Sequence, residues 1–186
     1  MTDPRVILIT GPTGFGKSVL ARQFLTKAIR DGATGHVIDI VKNGADFADT
    51  GATVASTVKD AVALLTRSLL GPASEDATFI VIDDVSSALS FDHAPASGTP
   101  EQNRAVATGN NERVELLELI NLCMEMGADR EVFLLLVSQR DLTVAETNAG
   151  TLDLNVPGFV HLRVTGHGSG EAAGLTQTPQ PFEFSL

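Results

Sequence analysis

Gly11-Pro12-Thr13-Gly14-Phe15-Gly16-Lys17-Ser18 is the stretch that decides the fold. It fills the P-loop pattern G-x-x-x-x-G-K-[ST] at every specified position. Arg5-Val6-Ile7-Leu8-Ile9-Thr10 before it reads as a buried β-strand. Lys17 to Arg30 after it reads as a helix, with Val19, Leu20, Phe24, Leu25 and Ile29 as a core-facing stripe. The chemistry requires that setting. A Gly-rich turn from strand to helix aims backbone N–H groups at phosphate oxygens, and the helix adds the positive end of its dipole. The pattern therefore assigns Gly11, Pro12, Thr13, Gly14, Phe15, Gly16, Lys17 and Ser18 to binding a nucleoside triphosphate. Lys17 is expected to reach the β- and γ-phosphates, and the Ser18 hydroxyl to ligate Mg²⁺.

Further along, Asp31-Gly32 closes the first helix, and His36 to Val41 reads as a second strand. Asp39 at its end faces either the nucleotide or a neighbouring subunit, or is a solvated strand-end residue. Lys42 to Thr53 is polar and Gly-bearing, a loop. Val54 to Leu70 is an amphipathic helix stopped by Gly71-Pro72. Arg67 near its end suits a helix C-terminus, with a partner-facing role as the alternative.

Thr78-Phe79-Ile80-Val81-Ile82-Asp83-Asp84 is the second informative stretch. Four apolar residues followed by two acids describe a buried parallel strand ending in carboxylates, the Walker B pattern, and ligands collect at such ends. Asp83 is the expected metal-side carboxylate, and Asp84 the group that orients or deprotonates the attacking water. Ser90 to Asn111 holds several breakers and few large apolar residues, and reads as a mobile loop insertion. Glu112 to Met126 is a third helix, with Gly127 as its terminator. Glu131 to Gln139 is another buried strand, ending in Ser138-Gln139-Arg140, where Gln139 can sense the γ-phosphate. Asp141 to Asn148 is a short helix or turn. Gly158 to Val164 alternates like a strand, Gly166 to Gly170 is a turn, and Pro181 to Leu186 is a last edge strand.

The 186 residues make one domain, with 43% hydrophobic and 19% charged residues. No apolar run approaches the roughly 18–20 residues of a membrane span. The N-terminus runs almost directly into the first strand, leaving no room for a signal peptide. Cys123 is the single cysteine, so no intramolecular disulfide forms. These features lead us to expect a cytoplasmic protein without membrane insertion. A net charge of −10 argues against a broadly basic nucleic-acid surface, although a ring can grip a duplex through a few pore residues.

The order of these features resembles the FtsK/HerA family of RecA-like motor ATPases. The resemblance is carried by residues 11–18, Val37-Ile38-Asp39, Ile80-Val81-Ile82-Asp83-Asp84 and Leu134-Leu135-Leu136-Val137-Ser138-Gln139-Arg140. It implies an α/β fold, a mostly parallel sheet with helices on both faces and antiparallel C-terminal strands. It also implies ATP and Mg²⁺ as cofactors, a ring homo-oligomer, usually a hexamer, and double-stranded DNA as cargo. Two positions depart from the family pattern. Asp84 stands where the family commonly has Glu, and the Gly-Arg pair before the sensor strand is here Gly127-Ala128. Arg130 becomes the first candidate for a trans-acting arginine finger, and Arg113 the second.

Other readings stay open on the residues alone. A secretion-type motor with a protein cargo suits the acidic surface and the 90–111 stretch, which carries only Arg104 as a candidate pore cation. A nucleotide switch or assembly factor suits the short Asp84 side chain. A small-molecule kinase would need an arginine-rich lid, and no such segment is present. The guanine-reading Asn-Lys-x-Asp motif is also absent.

Overall fold

The computed structural model describes residues 5–72, 76–139, 146–174 and 178–186, the Glu146 side chain excepted. Strand β1 (Val6–Thr10) feeds the P-loop and helix α1 (Lys17–Arg30). There follow β2 (Thr34–Ile38), a 3₁₀ turn over Ala45–Phe47, β3 (Thr53–Ala55) and α2 (Val58–Leu70). Then come β4 (Thr78–Ile82), α3 (Val85–Ala88), α4 (Pro100–Met126), a 3₁₀ turn over Gly127–Arg130 and β5 (Val132–Ser138). β6 (Glu146–Thr147) and β7 (Gly150–Thr151) form a small separate ladder. β8 (Phe159–Gly166), β9 (Ser169–Gly174) and β10 (Gln180–Glu183) complete the chain.

Eight of the described strands join in one sheet of order β10-β9-β8-β1-β5-β4-β2-β3. β3, β2, β4, β5, β1 and β8 are mutually parallel, and β9 and β10 return antiparallel. β5 separates the P-loop strand from the acidic strand, so Gln139 emerges between them.

The period-2 alternation of a strand builds two cores from one sheet. Val6, Leu8, Ile80, Ile82, Leu134 and Leu136 point to the face covered by α2, α3 and α4. Ile7, Ile9, Phe79, Val81, Leu135 and Val137 point to the other, covered by α1. A parallel strand buried on both sides must be apolar at every position, hence the unbroken runs in β1 and β4. The expected α/β architecture, with helices on both faces and antiparallel C-terminal strands, is the observed one.

Several boundaries differ from expectation: β2 runs Thr34–Ile38 rather than from His36 to Val41, β10 stops at Glu183, and three further differences reach into the reading of whole elements. The 90–111 stretch is a loop only to residue 99, and residues 100–111 form the first half of the 27-residue helix α4. The Thr99 hydroxyl accepts from the Gln102 amide and the Gln102 side chain answers on the Thr99 amide, a full capping box with Pro100 in the first turn. Thr53 to Ala55, expected at the junction of loop and helix, is strand β3. The helix starts instead at Val58, where Thr57 accepts from the Asp60 amide at 3.1 Å. The 166–170 turn is narrower than read, because Ser169 already begins β9. Of the 141–148 segment, residues 141–145 lie outside the described residues, as does Arg140. Among the described residues, no helix is long and apolar enough to cross a membrane.

Candidate nucleotide site

The P-loop leaves the sheet at Gly11, whose φ of +146 only glycine adopts easily. A Cβ there would run into the Val164 carbonyl of the adjacent β8. Gly16 has φ +91 and serves as the N-cap of α1 without any side-chain cap. A Cβ at Gly16 would strike Leu186 and Phe184 of the C-terminal segment. No acidic residue lies in the first turn of α1, so its open N–H groups and dipole face an anion unopposed.

A cavity of about 530 Å³ opens at the carboxyl ends of β1, β5, β4 and β2. Thr13, Gly14, Gly16, Lys17 and Ser18 form one wall, Asp83, Asp84 and Gln139 another. Gly11 and Pro12 line a smaller cavity beside β8, and the Phe15 ring rests on His167 with centroids 5.0 Å apart. Lys17 is only 8% exposed and donates from Nζ to the Pro12 carbonyl at 2.9 Å. Burial lowers its pKa, opposed by the nearby Asp83 and Asp84 carboxylates. Burial outweighs those two carboxylates, so an added anion beside the ammonium is favoured.

The Ser18 hydroxyl donates to both carboxylate oxygens of Asp83, at 3.3 and 3.2 Å. Asp83 is 4% exposed, and burial raises its pKa against the lowering effect of Lys42. Asp84 beside it is held differently. Its backbone has φ +54, in the left-handed region where Asp is better tolerated than most residues. Its carboxylate accepts from the Ser87 amide at 3.4 Å and from the Ser87 hydroxyl at 2.8 Å, capping α3. Gln139 ties the walls together. Its Oε1 accepts from the Thr13 hydroxyl at 3.0 Å, and its Nε2 donates to Asp84 Oδ2 at 3.3 Å. Underneath, the Ser138 and Ser86 hydroxyls are 2.9 Å apart.

Lys17, Ser18, Asp83, Asp84 and Gln139 are thus assembled in one place, and Arg130 is not. It sits in the turn before β5 and donates to the Gly71 carbonyl at 3.0 Å. The full length of β5, roughly 20 Å at a strand's rise, separates it from its own chain's P-loop. Asp39, which also lines the cavity, is not a solvated strand-end residue. It is 1% exposed and accepts from the amides of Val41, Lys42 and Gly44 at 3.1, 2.8 and 2.9 Å. Two residues that the sequence reading passed over, Lys42 and Asp46, also line the cavity. Their signal was an Asp ending an apolar run ahead of a Gly-bearing turn, the setting of an Asx-type turn.

A P-loop between strand and helix, with one strand between it and the acidic strand, defines a P-loop NTPase of RecA-like architecture. Solved structures agree. The conjugation coupling protein TcpA of pCW3, solved as a monomer with ATPγS, superposes with a TM-score of 0.71 at 18% identity, over 98% of this chain and 60% of TcpA. This chain therefore spans about three fifths of that protein. The genome-packaging NTPase B204 of Sulfolobus turreted icosahedral virus 2, with AMPPCP, matches over 100% of both chains, with a TM-score of 0.63 and 12% identity. B204, the DNA-packaging ATPase from Sulfolobus turreted icosahedral virus, matches at a TM-score of 0.58 and 11% identity. No protein-family model matches the chain, and no curated protein matches it in sequence. At these identities the likeness is one of fold.

Proposed function

We propose that the chain is an ATP-hydrolysing motor domain of the FtsK/HerA type, acting in the transfer or packaging of DNA. The observation that carries this is Gln139, which links the P-loop at Thr13 to Asp84 from the intervening strand. A phosphate seated on the P-loop would lie against that link, so its presence or loss is felt at Asp84 directly. Lys17 and the P-loop amides hold the β- and γ-phosphates, and Asp84 with Gln139 orients the attacking water. The water oxygen bonds to the γ-phosphorus as the bond to the bridging oxygen breaks, and its proton passes toward Asp84.

Ser18 and Asp83 are the residues that would hold Mg²⁺. Their oxygen donors suit a hard cation, and the buried, pKa-raised Asp83 favours added positive charge. When bound, the ion neutralises charge on the β- and γ-oxygens. Completion of the site in a ring of identical subunits, a hexamer in this reading, would fall to Arg130 acting in trans. Arg113 is the poorer candidate, because its guanidinium is mostly buried, paired with Asp92 at 2.9 Å and bonded to the Gly109 carbonyl. A cytoplasmic location fits the single, buried Cys123.

Steady-state ATP hydrolysis with Mg²⁺, with and without linear duplex DNA at two salt concentrations, tests the proposal. Stimulation by DNA that fades with salt is the expected result. Lys17→Ala should lower turnover by about 10²-fold or more, and Arg130→Ala by a comparable factor if it is the finger. A protein cargo is the second reading, favoured by the net charge of −10. It predicts turnover indifferent to DNA.

A further inference from the structure

Part of the cavity lining is built by the turn that follows β2, and this turn is unusually fixed. The Asp39 carboxylate collects three backbone amides within it, and Asn43 and Gly44 take left-handed φ values of 53 and 74. Phe47, 1% exposed, anchors the far end of the turn beneath α1. Of the side chains that this rigid base presents to the cavity, Val41, Lys42, Ala45 and Asp46, that of Lys42 is the cation. Its ammonium bonds Asp46 at 2.6 Å and lies 3.9 Å from the Asp83 carboxylate. Half of the side chain is exposed, so the backbone is fixed while the ammonium is held only by ion pairs open to solvent.

We infer that Lys42 is a second cation of the triphosphate site, held in waiting by Asp46 and Asp83 and transferred to the terminal phosphate when the metal–triphosphate enters. This rests on the nucleotide site proposed above. The physical argument is a competition for one carboxylate. A divalent cation seated between Ser18 and Asp83 satisfies the charge that attracts Lys42 and repels its ammonium. The four-carbon stem lets the ammonium swing while the backbone stays fixed. Lys42 shares the Asp83 wall, and Asp84 and Gln139 mark the same region as the place for the terminal phosphate. Lys17, buried and bonded to Pro12, lines the same cavity from the P-loop. The γ-phosphate would then be gripped by two lysines of one chain, and a nucleoside diphosphate would lack the group that Lys42 reads.

The test compares ATPγS and ADP binding, both with Mg²⁺, in the full chain and its Lys42→Ala, Lys42→Arg and Asp46→Asn variants. Lys42→Ala should weaken ATPγS about tenfold or more, as loss of a charge-assisted bond does, while ADP affinity changes less than about twofold. Lys42→Arg should restore part of the difference. Asp46→Asn, which removes the waiting partner and leaves the lysine, should tighten ATPγS relative to ADP. Equal losses for both nucleotides in Lys42→Ala, or no loss, would overturn the inference. Parallel ADP binding by the wild-type chain and each variant shows that the site is folded. A wild-type chain that binds neither nucleotide would overturn the site proposal itself, and the inference with it.

Discussion

The two flanks of β1 are built on different terms. On one side β5 and β4 are parallel, apolar at almost every position and covered on both faces, and β2 adds the buried Val37 and Ile38 after an exposed Thr34. On the other, β8 leads into the antiparallel β9 and β10, which are largely half-buried or exposed, rich in Gly and Ala, and follow a register shift between Val164 and Gly166. The parallel flank delivers Gln139, Asp83, Asp84 and the Lys42 turn to the cavity. The antiparallel flank delivers no acid or base to it. It braces the P-loop instead, through the Thr10 hydroxyl 2.7 Å from His161, Val164 against Gly11, His167 against Phe15, and Phe184 and Leu186 against Gly16. In the proposed reaction, chemistry thus sits where burial fixes geometry most firmly, and the less buried flank shapes the loop that would accept the ligand.

Core truncations on the two sides should break the symmetry most sharply. Leu136→Ala, in the fully buried β5, should cost about 3–4 kcal/mol in urea unfolding, whereas Phe182→Ala in β10 should cost about 1–2 kcal/mol because its ring is only partly buried. Equal costs would show that the two flanks form one uniformly tight core. Gly11→Ala tests the seam between them. The added Cβ meets the Val164 carbonyl and the φ is unfavourable, so a loss of about 1–3 kcal/mol is expected, together with weaker nucleotide binding measured by titration.

The smallest effect concerns pH at the outer edge of the parallel flank. Burial, and then the charge of Arg67, lower the pKa of His36 below its ordinary value of 6.5. The unfolded chain therefore binds this proton more tightly than the folded one. The contribution of His36 is complete above pH 6.5 and is lost as the pH falls toward the lowered folded value. The urea midpoint should drop between pH 7.5 and 5.5, and His36→Gln should flatten that drop.

β1, β4 and β5 were legible because each is a nearly continuous apolar run ending in a distinctive polar group. Gly11 to Ser18, Asp83-Asp84 and Gln139 could be placed from sequence for that reason. Residues 100–111 misled because the first half of α4 is mostly exposed and carries little apolar patterning, so periodicity had nothing to register. The capping box at Thr99 and Gln102 was present in the sequence and marked the true start. β9 escaped because Ser-Gly-Glu-Ala-Ala-Gly has weak strand propensity and is held by its pairing with β8 and β10. The role of Asp39 could not be read locally, since it depends on three amides that a particular turn brings together.

The conformation of Asp84 carries one more consequence. The same carboxylate starts α3 and, in the proposed reaction, handles the water. Aspartate is among the best helix caps and is tolerated in the left-handed region, and glutamate is not among the good caps. The shorter acid at this position, which looked like a handicap for hydrolysis, is thus the one its architecture calls for. Dual employment also couples the two, because a water held by Asp84 would share its carboxylate with the Ser87 contacts that open α3, and its arrival would be felt at the first turn of that helix.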